Sequence, residues 1–162
     1  MTITSPPVVL TDGGRAAAGF KGSTGDCVTR AVAIATGIPY RDVYDLVHER
    51  NREFYATSRT RHAVAARRKG TAGRQSSPRD GVMKPVTRQI MADLGWEWTP
   101  TMTIGSGTTV HLRVGELPPG RLVVAVSHHL VAVINGVIHD DHDPSRAGTR
   151  CVYGFWTDPV TA

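Results

Sequence analysis

The sequence predicts an α+β fold, with N-terminal helices packed on a C-terminal antiparallel sheet, and three observations support this. Apolar stripes of helical period all fall between Asp26 and Gly95, strand-like runs of β-branched residues dominate from about residue 109 onward, and the two kinds do not alternate. Helices followed by strands give a segregated α+β arrangement, whereas alternation would give parallel βαβ units. With 162 residues, the chain suits one domain, residues 1–162. A domain of that size buries about 70% of the surface its unfolded chain exposes, enough for a real core without staples.

Residues 1–22 read as irregular, because Pro6, Pro7 and the Asp12-Gly13-Gly14 turn signal interrupt any pattern. The first helix begins near Asp26, a plausible N-cap, and places Cys27, Ala31, Ile34 and Ala35 on one face before Gly37 stops it. A second helix follows from Pro39 to about Phe54, with Tyr40, Val43, Tyr44 and Val47 as its stripe. Pro85 to Leu94 is a third, with Val86, Ile90, Met91 and Leu94 inward. Trp96 and Trp98 fall in a loop, and TVHL (109–112) reads as a short strand. LVVAVS, HLVAVI, GVIHD and RCVYGFW are the main strands, and Asn135-Gly136 is a two-residue hairpin signal.

The net charge is +5, from 19 Lys and Arg against 14 Asp and Glu. Arg59, Arg61, Arg67, Arg68, Lys69, Arg74 and Arg79 lie in one stretch without an acid between them. We read residues 57–81 as a basic flexible insertion whose first half, RHAVAARR, has helical character. No apolar run is long enough to span a membrane and the N-terminus has no signal-peptide pattern, so the expected location is the cytoplasm, that of a host cell if the chain is phage-encoded. Two cysteines without a CxxC pair make neither a disulfide framework nor a zinc motif, although a Cys27–Cys151 bond is compatible with the sequence.

Chemistry concentrates in three residues. Cys27 stands at a helix start, where the partial positive charge of the helix end favours a thiolate, the form that attacks a carbonyl. The competing reading is a small buried apolar residue on the inner stripe. His129 opens a strand about a hundred residues later, and the strand paired with it ends at His139-Asp140. A carboxylate beside an imidazole fixes one ring nitrogen and leaves the other to exchange a thiol proton. His128 and Asp143 are the alternatives for base and carboxylate, since periodicity does not separate His128 from His129.

GDCVTRAVAIATG resembles the start of the catalytic helix in papain-like cysteine peptidases of the small bacterial and phage type, and HLVAVINGVIHDDHDP resembles their histidine hairpin. The segment from Pro100 to Trp156 is also similar to uncharacterised proteins of actinobacteria and their phages. The papain-like resemblance implies that Cys27 is the nucleophile, His129 the base and Asp140 the orienting carboxylate. It also implies a papain-like fold and hydrolysis of a peptide, isopeptide or amide bond through an acyl-enzyme. Deamidation or acyl transfer uses the same parts. The family has a glutamine about six residues before the cysteine, where this chain has Lys21. Lys21, Ser23 and Thr24 are therefore the candidates to assist the Cys27 N–H in holding an oxyanion.

Two other classes compete. A non-catalytic module would bind nucleic acid or an acidic partner through Arg61, Arg67, Arg68 and Lys69 of the 59–79 segment. The same segment would serve an enzyme by recruiting an acidic protein substrate. A metal-dependent hydrolase would centre on His129, His139 and Asp143, but no HExxH or comparably spaced motif accompanies them. No metal site and no cofactor are expected.

Overall fold

A computed structural model describes residues 2–22, 24–71, 78, 81–103, 105 and 107–159. Helix α1 (Cys27–Thr36) lies on one face of a six-stranded mixed sheet. It shares the core on that side with α2 (Tyr40–Thr57) and α4 (Lys84–Asp93), and α3 (Arg61–Arg68) packs on α2. The sheet is built from β1 (Val8–Leu10), β2 (Glu97–Pro100), β5 (Arg121–Val126), β6 (His129–Ile134), β7 (Val137–Asp140) and β8 (Val152–Thr157), in the order β1-β7-β6-β5-β8-β2. A separate two-residue pair joins β3 (Met102–Thr103) to β4 (Gly107–Thr108). None of the described helices is long and apolar enough to cross a membrane.

The central strands are apolar on both faces because both faces are covered. Val123 and Ala132 meet Val28, Val32, Val43 and Ile90 on the helical side. Val124, Val126, Val131, Val133, Ile138 and Phe155 form a second cluster with Leu112, Val110 and Leu117 of the 109–117 segment. Burying a side chain of this size fully is worth about 1.5–3 kcal/mol, so the two clusters fix the sheet between its covers. The β6–β7 hairpin turns at Asn135 and Gly136, both at positive φ (49° and 79°), as a two-residue turn of type I′ requires.

Three expectations are corrected. The N-terminal segment is not wholly irregular: Val8–Leu10 adds β1 parallel to β7, and its last pair sets Leu10 opposite Asp140. Thr11 N–H then donates to the Asp140 carbonyl at 2.9 Å. Trp98 lies in a strand, because Glu97–Pro100 pairs with β8. Residues 109–112 form no strand and contribute only an isolated bridge between His111 and Cys151. Residues 61–68, RHAVAARR, have the helical form expected of them: Thr60 Oγ1 caps the helix by accepting from Ala63 N–H, and Ala63 and Ala66 are buried against Tyr55. Arg74 and Arg79 lie outside the described residues.

Candidate active site

Cys27 is the first residue of α1. Asp26 occupies the N-cap position but makes no side-chain cap bond, because its carboxylate is engaged elsewhere. One oxygen takes the Tyr40 hydroxyl at 2.6 Å and the other takes Arg30. The first-turn N–H groups of α1 are thus left without a side-chain cap, and their partial positive charge acts directly on the sulfur.

Folding brings the β6–β7 hairpin to this helix end. His129 Nε2 lies 2.6 Å from Asp140 Oδ2. That leaves Nδ1 free of Asp140, and Cys27 lies close enough to His129 and to the Leu130 main-chain N–H for both to lower its thiol pKa. The electrostatics follow. Burial pushes the Cys27 thiol up, but the His129 bond, the Leu130 N–H and the charges of His129 and Arg30 outweigh it and lower its pKa. Burial pushes His129 down, yet its bonds to Asp140 and Cys27 and their charges raise it to about 9. Burial likewise opposes ionisation of Asp140, and the His129 bond and charge, Arg30 and the Asp141 N–H together hold it below the usual carboxylate range. All three shifts favour a thiolate beside an imidazolium held by a carboxylate.

Asp140 is 1% exposed and Arg30 4% exposed. Arg30 donates through Nε to Asp140 Oδ1 at 3.0 Å, with Nη2 at 2.9 Å from the same oxygen, and its Nη1 reaches Asp26. Tyr40, whose hydroxyl is pushed up to about 12 by burial and by Asp26, continues the chain to Arg15 at 3.0 Å. Arg15 in turn donates to the carbonyls of Lys21 and Gly22. A buried ionic chain therefore runs from the 15–22 turn through Arg30 to the histidine. Gly13 makes room for it: at φ +71° a Cβ there would lie 2.8 Å from Arg30 Cγ.

The sequence reasoning missed Arg30, although the signal was present. An arginine within the apolar helix CVTRAVAIAT must find an anion or remain out of the core. It also missed the groove into which Cys27 and His129 open, a cleft of about 680 Å³. Val28, Ala125, Val126 and Leu130 line it together with Trp98, Tyr153 and Trp156, and α4 supplies Lys84, Thr87 and Arg88. Gly154 permits this arrangement, since a Cβ there would fall 2.4 Å from Trp98 Cζ2.

Other expected residues lie elsewhere. His128 also lines the groove, in the turn before β6 at φ 54°. Asp143 accepts from Ser145 N–H at 2.9 Å and serves a turn, not His129. Lys21 is exposed, and Thr24 lines a separate small cavity with Asp12, Arg15 and Asp26, so neither is among the described residues lining the groove. Ser23 lies outside the described residues. His139 is set opposite Ala132, with Arg121 close enough to help burial lower its pKa. Among the described residues, the ligand-type atoms that converge, within 4.8 Å, are those of His129, Asp140 and His142, not the set with His139 and Asp143. Cys27 and Cys151 are both free thiols, and Cys151 is exposed. Arg61, Arg67, Arg68 and Lys69 are all exposed, and Arg67 ties down the end of α2 by donating to the Tyr55 and Ser58 carbonyls.

No family model matches the chain, and comparison with curated proteins and with solved structures finds no match either.

Proposed function

We propose that the protein is a papain-like cysteine hydrolase acting on a peptide, isopeptide or related amide bond. The single observation that carries this reading is the meeting of Cys27, His129 and Asp140 at a helix N-terminus that opens onto a groove of about 680 Å³. A sulfur packed away as core would need neither the histidine nor the cleft. The papain-like assignment of the fold rests on the same features, a nucleophile helix packed on a sheet whose hairpin brings the histidine and carboxylate.

In the proposed reaction the Cys27 thiolate attacks the carbonyl carbon, a C–S bond forms, and the carbonyl electron pair moves to oxygen. The Cys27 N–H and the α1 helix end stabilise that oxyanion. His129 gives its proton to the leaving amine as the C–N bond breaks. Water then attacks the thioester, His129 accepts a proton from it, and the C–S bond breaks to return the thiolate. An amine in place of water gives acyl transfer with the same groups.

The test is covalent capture. A peptide carrying a thiol-reactive ketone is expected to label Cys27 at mildly acidic pH well before Cys151, which serves as an exposed internal reference. A chromogenic amide or ester should show an acyl-enzyme burst. Labelling of Cys151 ahead of Cys27, or reaction of Cys27 only after unfolding, would remove the hydrolase reading.

The exposed cations Arg61, Arg68 and Lys69 favour a second reading, a binding module for nucleic acid or an acidic partner. Binding of DNA or RNA with a steep salt dependence, unchanged by Cys27→Ala, would support it.

A further inference from the structure

The walls of the groove differ in character. β2 and β8 contribute Trp98 and Trp156, whose rings meet tilted by 53° with centroids 4.3 Å apart, and Trp98 and Tyr153 remain 44% and 38% exposed. Large aromatic surface left open beside a candidate nucleophile offers a bulky apolar group a place to bury itself. α4 contributes Lys84 and Arg88, four residues apart and hence on the same face of that helix. Both are exposed, and among the described residues neither has an acidic partner. The acid at the end of that helix, Asp93, is already bonded to Arg50 at 2.7 Å and to Gln89 at 2.9 Å. No Asp or Glu occurs among the described lining residues.

We propose that the groove is a specificity site for acidic peptide segments that carry a bulky apolar side chain, the aromatic wall taking the apolar group and Lys84 and Arg88 taking the carboxylates. This rests on the hydrolase reading for its consequence in turnover, but the binding site itself does not depend on catalysis. It moves recognition of acidic partners from the 59–79 segment to the groove beside the sulfur. Gly154 is part of the device, because any side chain there displaces Trp98.

The test uses the full chain with Cys27→Ala, so that binding is read without turnover. Three dye-labelled short peptides are compared, each with one phenylalanine flanked by glutamate, glutamine or lysine. The glutamate peptide is expected to bind about tenfold more tightly than the lysine peptide at low salt, with the preference shrinking as salt screens it. Lys84→Glu with Arg88→Glu should reverse the order. Trp98→Ala should weaken the glutamate and glutamine peptides alike, as should Gly154→Ala if the variant keeps its circular dichroism. Equal binding of all three peptides, or no effect of the charge reversal, overturns the proposal. So does displacement of the glutamate peptide by a single-stranded oligonucleotide that binds more tightly, which would make the groove a nucleic-acid site. Selective binding together with failure of Cys27 to label in the wild-type chain would leave the specificity site standing and remove the hydrolase.

Discussion

Replacing His129 with alanine is expected to reduce turnover by about a thousandfold to ten-thousandfold while leaving the protein folded, because the thiolate loses its counter-ion and the leaving amine loses its proton donor. The fold tolerates this change for an identifiable reason. Asp140 keeps Arg30 and the Asp141 N–H as partners, so no buried charge is orphaned. Cys27 should then titrate higher, having lost both the bond and the charge that lower it. Thermal melting and the pH dependence of Cys27 alkylation check the two halves together. A His129→Ala protein that hydrolyses peptide at the wild-type rate would remove His129 from the chemistry.

Replacing Arg30 with methionine has the largest expected effect on stability. It leaves Asp26 and Asp140 in the interior without their shared cation, and breaking a buried pair in this way costs about 3–5 kcal/mol. The deficit should depend on pH with a definite sign. The folded-state pKa of Asp140 is lowered, so its contribution is present above the unfolded value of about 3.9 and is lost as pH falls through the folded value. The gap between wild type and Arg30→Met therefore narrows on acidification. His129 has the opposite sense. Its pKa is raised to about 9, so its contribution is complete below the unfolded value of about 6.5 and is lost as pH rises through 9. Urea unfolding at several pH values measures both limbs. An Arg30→Met protein as stable as wild type at neutral pH would show that the arginine carries no structural charge balance.

The helices and the hairpin were legible because each has a local cause. Gly37 takes a left-handed φ of 76° and ends α1, and Asn135-Gly136 turns the hairpin within two residues. Cys27, His129 and Asp140 could be picked out because each stands at the start or end of such an element. The edge strands were not legible. Val8–Leu10 is mostly exposed and only three residues long, and it becomes a strand through β7 alone. All four residues of Glu97–Pro100 are exposed, so no alternation marks them, and β8 supplies their register. Arg30 finds Asp140 across 110 residues of sequence, a pairing that no local pattern encodes. The groove is less legible still. It needs α1, α4, β2, β6 and β8 in place at once, and the glycine that admits Trp98 looks like a flaw in the strand VYGFWT until Trp98 lies across it.

The ionisation state of the Cys27–His129 pair is the most direct measurement. Carbon-13 labelling at the cysteine Cβ and nitrogen-15 labelling of the histidine ring, followed by NMR from acid to strongly basic pH, read both partners. The expected result is a thiolate and a doubly protonated imidazole present together at neutral pH, with His129 losing its proton near about 9 in wild type and lower in Cys27→Ala. A neutral thiol at that pH, beside a His129 that titrates near its ordinary value of about 6.5 whether or not the sulfur is there, would contradict it.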